Sequence, residues 1–208
     1  MTLIRADPSA MICEPRAPTI CGELLMATWD KEELELKKSH GWRHSPGKRI
    51  FVADRGALRL EFPEDWVVIP DDDSIKFYDK QPPDDDCCMA VSYMRLPPVD
   101  LSGLPVSDLL KVAMEGDTRP IYSRSETHHL KREDLELAWL ELAFIDPAQQ
   151  RDCRSRLCLG RGSGIQPLIT MEFWEVDRAR CAPVWDDVLA SLQLGVYIED
   201  ATRGPVTH

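Results

Sequence analysis

A chain of 208 residues with 43% hydrophobic and 29% charged side chains is long enough for one domain with a buried core. Its formal charge of −11 repels phosphate backbones, and the densest basic stretch, Arg151 to Arg161, is diluted by Asp152 and apolar residues, so nucleic acid is not an expected partner. No run approaches the roughly 18 apolar residues of a membrane-spanning helix, so the bilayer is not expected either.

Arg5, Asp7, Glu14, Arg16 and Glu23 interrupt any signal-peptide core, and Ile20 stands where a lipoprotein box needs a small residue before Cys21. The expected location is the cytoplasm. Seven cysteines (13, 21, 87, 88, 153, 158 and 181) form an odd count without framework spacing, which reads as reduced thiols. Asparagine is absent, which excludes glycosylation sequons and any Cys-His-Asn arrangement.

In chain order, residues 1–27 show neither a strand nor a helix period and are broken by Pro8, Pro15 and Pro18; they read as a poorly ordered extension, with Met26 an alternative start. Trp29 to His40 carries helix punctuation: Asp30 followed by Glu33, then Lys37, Lys38 and His40 before Gly41. From Arg49 short strands follow one another. Leu58, Leu60 and Phe62 alternate with charged residues; Trp66 to Ile69, Ile75 to Tyr78 and Cys88 to Met94 are separated by Pro/Asp turns, as in an antiparallel meander. Pro105 opens a helix whose Val106, Leu109, Leu110, Ala113 and Met114 make one apolar stripe, ending at Gly116.

Leu135 to Ile145 has the composition of a helix, yet it precedes a hairpin, Cys153–Leu159 and Ile169–Val176 about a Gly160–Gly164 turn, that needs a pairing neighbour; it reads as a central strand. A helix from Pro183, with Trp185, Val188, Leu189 and Leu192 on one face, closes the domain over residues 28–196. A polar tail, 197–208, follows.

The chemistry-bearing residues do not assemble along the sequence. The Asp71–Asp73 and Asp84–Asp86 runs lack the spacing of a calcium loop and read as solvated turns. Cys87 and Cys88 diverge on a strand, as do Cys153 and Cys158, and no C-x-x-C pair suggests zinc. His40 and His44 have i,i+4 spacing, but Gly41 and Pro46 end the helix between them; His128 and His129 read as surface residues. Gly160-Arg161-Gly162-Ser163-Gly164 has neither phosphate-loop nor hydrolase-elbow spacing. No catalytic, cofactor-binding or metal-ligating residue is assigned, and no cofactor is expected.

The order of elements carries a resemblance. Phe62-Pro63 followed by Trp66, the meander, the Pro105 helix, the hairpin strands with Leu157-Cys158-Leu159 and Thr170-Met171-Glu172, and the closing Pro183–Leu192 run are together similar to the PsbP-like superfamily, over about Val52 to Leu194. That resemblance implies an α+β chain forming a three-layer α/β/α sandwich around a central, mainly antiparallel sheet. It also implies a binding or assembly protein. The expected function is a non-enzymatic protein-interaction module, an adaptor or chaperone-like protein whose partner has a basic surface. The alternative is a domain binding a small molecule or metal ion between sheet and helix, with Asp71–Asp73 and the five histidines as the first places to look.

Overall fold

The computed structural model describes residues 2–8, 29–101 and 103–205. Thirteen strands and two α-helices form among them, and the chain is α+β, mostly sheet. The larger sheet has eight strands, all antiparallel: β5 (Val67–Pro70), β6 (Ile75–Tyr78), β7 (Cys87–Arg95), β12 (Ile165–Trp174), β11 (Asp152–Arg161) and β10 (Glu136–Ile145) in that order, with β8 (Ile121–Arg124) and β9 (His128–Lys131) side by side on the far edge of β10. The expected meander and hairpin are these strands. The helix-prone Leu-Glu-Leu-Ala-Trp segment is strand β10, paired on both sides over most of its length. Burial on both faces removes simple alternation from such a strand, so its composition does not advertise it.

Helix α1 (Val106–Met114) sets Val106, Leu110 and Met114 against Ala138, Leu140 and Leu142 on one face of this sheet. Helix α2 (Arg178–Ser191) buries Cys181, Trp185, Val188 and Leu189 on the other. It starts five residues before Pro183, which sits inside the helix. That second face is also covered by another sheet, which no sequence pattern announces. Its five strands run β13 (Gln193–Leu194), β4 (Leu58–Pro63), β3 (Lys48–Ala53), β1 (Thr2–Pro8) and β2 (Trp29–Glu35), with β1 parallel to β3 and the other pairs antiparallel. Phe51, Leu60 and Phe62 from the small sheet join Phe77, Met89 and Phe173 from the large one in a single core, where the Phe77 ring meets Phe51 and Phe62 edge-on.

Three expectations are corrected here. Residues 2–8 are an interior strand, with Leu3, Ile4 and Ala6 fully buried; the rest of the expected extension, 9–27, lies outside the described residues. Trp29–Glu35 is strand β2, not a helix. Its local capping signals lose to pairing with β1, a strand without a legible period of its own, and its row of charges suits an exposed edge. The C-terminal segment is no free tail either. Ile198 and Ala201 are buried against Leu3, Ile50 and Val52 on the outer face of the small sheet, and the Trp42 indole N–H donates to the Ala201 carbonyl at 2.7 Å. Residues 206–208 lie outside the description.

Candidate functional site

Nine described residues have a positive φ, and six of them meet at one end of the molecule. Asp54, Arg55 and Gly56 (φ 42°, 53° and 99°) turn the chain from β3 into β4. Ser163 and Gly164 (50° and 71°) form the β11–β12 turn, and Gly195 (66°) follows β13. Left-handed backbone at residues with a Cβ is costly, and it persists where surrounding structure enforces it.

The enforcement is visible. The Leu96 N–H, just past β7, donates to the Gly164 carbonyl at 2.8 Å; the Gly195 N–H to Ala57 at 3.0 Å; and the Ile198 N–H to the Arg55 carbonyl at 2.9 Å. A Cβ on Gly56 would lie 1.6 Å from the Val196 carbonyl oxygen, and one on Gly195 would lie 2.4 Å from the Ser163 Cβ. Four chain segments are thus keyed into one rim.

A cavity of about 190 Å³ opens there, lined by Asp54, Arg55, Gly56, Arg95 and Tyr197. Asp54 accepts hydrogen bonds from the Tyr93 hydroxyl at 3.0 Å and the Arg95 guanidinium at 2.5 Å. Burial, followed by the Asp54 charge, pushes the Tyr93 phenol well above its ordinary range, so it stays a neutral donor. Trp29 packs edge-on against Tyr93, with ring centroids 5.7 Å apart. Arg55 stands exposed beside this network with no ion pair among the described residues. Tyr197 is 70% exposed, and Met94, one residue before Arg95, is 56% exposed. Chemically the rim offers a guanidinium, an aromatic face and a thioether on a rigid base.

The described residues weighed in the sequence lie elsewhere, apart from the glycine turn; Cys13, Cys21 and His208 fall outside the described residues. His40 and His44 line different cavities. His128 stacks on Trp139, with centroids 4.2 Å apart, and leaves His129 on the surface. Asp71 pairs with Lys76 at 2.5 Å, and Asp86 with Lys80. The five described cysteines are free thiols, and burial pushes Cys88 and Cys153 up to about 11 each. Those two share a cavity of about 160 Å³ with Asp85, Asp86, Asp146 and Glu172; burial and then the neighbouring Asp79 and Asp86 raise the Asp85 carboxyl. Among the described residues no three His, Cys, Asp or Glu side chains converge as metal ligands.

Glu141 of β10 is a site that sequence reasoning missed. It is buried at the foot of α2 between Arg156 at 2.8 Å, Arg178 at 3.0 Å and Arg154 at 3.5 Å, while Arg156 in turn lies over the Trp139 ring. Its one available signal was a charge in the middle of a largely apolar run that also holds Glu136.

Two packed sheets with one helix on each side of the larger define a PsbP-like fold. The solution structure of cyanobacterial PsbP (CyanoP) from Synechocystis sp. superposes with a TM-score of 0.50 at 13% identity, covering 75% of this chain and 97% of that one. The Ran-binding protein Mog1p of Saccharomyces cerevisiae gives a TM-score of 0.42 at 10% identity, over 72% and 96% of the two chains. Residues 49–198 match the Alr1449 family model, and the chain belongs to that family. Uncharacterized protein alr1449 of Nostoc sp. is 45% identical over 177 residues, which cover 85% of this chain and 92% of that protein.

Proposed function

We propose that this protein is a non-enzymatic interaction module, an adaptor or chaperone-like partner of another protein, and that it docks through the rim around Arg55 and Tyr197. The observation that carries this reading is the rigid presentation of exposed side chains. Arg55 sits on left-handed backbone that costs free energy to hold, and it leaves its guanidinium without an ion pair among the described residues. Arginine, tyrosine and methionine are enriched at protein interfaces, and pre-set geometry reduces the ordering cost of association.

The net charge of −11 favours a partner whose wider surface is basic, which would steer encounter while the rim supplies affinity. The PsbP-like fold is in keeping with a binding role. Quantitative affinity capture from native lysate tests the proposal, with the tag at either terminus. The intact chain is expected to retain a specific protein that the Arg55→Glu, Tyr197→Ala double variant loses at least about tenfold, the equivalent of roughly 1.4 kcal/mol. Equal recovery by both forms, or no specific protein with either tag, would overturn it.

A further inference from the structure

We propose that the cleft between the Trp42 loop and the C-terminal end of α2 binds a small molecule through an oxyanion, either a carboxylate or a phosphate. This site is separate from the docking rim and does not depend on it. The cavity is about 590 Å³, lined by His40, Trp42, Arg43, Arg59, Gln193 and Pro205. Every ionisable group in that lining is a base, within a chain whose formal net charge is −11.

Arg59, on β4, is 6% exposed. A guanidinium has five N–H donors. Arg59 uses three of them, on the Ser191 carbonyl at 3.0 Å, the Arg43 carbonyl at 3.0 Å and the Glu61 carboxylate at 2.6 Å. Among the described residues its Nε is buried without a partner, and so is Nδ1 of His40. Buried polar groups are paired in the great majority of cases, and these two unpartnered atoms, themselves sealed from solvent, belong to residues that line the cavity.

Glu61 is not that partner. Its carboxylate is already engaged by Arg59 and by the Ser45 N–H at 3.0 Å. Burial pushes its pKa up, but those two bonds outweigh burial and hold it below the ordinary 4.5, so it stays ionised and balances Arg59. That leaves the Arg43 guanidinium, exposed and without an ion pair among the described residues, as uncompensated charge at the mouth. Planar guanidinium groups take carboxylate and phosphate through paired N–H bonds, and a half-closed cavity strengthens them by excluding water.

The walls are fixed in advance. Trp42 is held by its bond to Ala201, and Gly204 (φ 92°) packs so closely on the indole that an added Cβ would lie 3.1–3.2 Å from Trp42 atoms. Preformed concavity with a few convergent polar groups is the usual form of a small-ligand site.

Nitrogen-edited NMR on the full-length protein tests this, titrating inorganic phosphate and, separately, citrate at constant ionic strength. Saturable shifts are expected for the Gly41, Arg43 and Gln193 amides and the Arg59 Nε–H, and whichever ion saturates at lower concentration identifies the headgroup. Arg43→Gln, a surface change that spares the fold, is expected to weaken binding by about tenfold, the loss of one charge-assisted pair. Arg55→Gln on the docking rim is expected to leave it unchanged. Absence of saturable shifts with both ions, shifts centred on Arg55 and Arg95, or equal binding by Arg43→Gln would overturn the assignment.

Discussion

Gly56 joins the fold to the candidate site at the scale of one residue. Its φ of 99° is open to glycine, and the Val196 carbonyl occupies the space where a side chain would start. Gly116, past the end of α1, has neither constraint: the space where its Cβ would stand is open for 4 Å around. Gly56→Ala is therefore expected to cost about 2 kcal/mol or more in urea unfolding, because strain and backbone overlap add. Gly116→Ala is expected to stay within about 0.5 kcal/mol of the parent. Equal effects at the two positions would show that the rim is not held as described. Both residues look alike in the sequence, each a glycine following a clear element. What separates them is the approach of residue 196, which is 140 positions from Gly56 and which no local pattern reports.

The same limit governs the elements. Helix α1 was legible because nine residues carry their own apolar stripe, and the β11–β12 hairpin because its two strands are neighbours joined by a glycine turn. Strand β10 was legible by inference, since a hairpin of that length needs a third strand. Strands β1 and β2 were not. β1 pairs in parallel with β3, more than forty residues away, and β2 exists as a strand because β1 does. Once β1 is discounted, the charges of β2 read as helix caps.

This placement predicts the effect of removing residues 1–25, which would leave β2 unpaired and strip Leu3 and Ile4 from the core. Burial of each such side chain contributes about 1.5–3 kcal/mol, so a loss of roughly 5 kcal/mol, or failure to fold, is expected by calorimetry. A chain starting at Met26 that melts with the full-length protein would contradict the position of β1.

At the scale of the whole molecule, the candidate site is a product of tertiary assembly. Its segments come from the β3–β4 turn, the end of β7, the β11–β12 turn and the residues after β13, so no stretch of sequence contains it. The clue available was conformational. The Gly160–Gly164 cluster marked one of the four segments, but nothing linked it to Asp54 or Tyr197. Charge acts at this scale too: an acidic body places isolated cations, Arg55 at the rim and Arg43 at the second cleft, where they stand out against the surrounding field.

The most direct test of the docking rim is photo-crosslinking in living cells, with a benzophenone amino acid in place of Tyr197 and, as control, in place of the exposed Gln149 at the opposite end of the ten-residue strand β11. Position 197 is predicted to trap one discrete protein that position 149 does not. Matching adducts from both positions, or none from 197, would contradict a docking surface at this end of the fold.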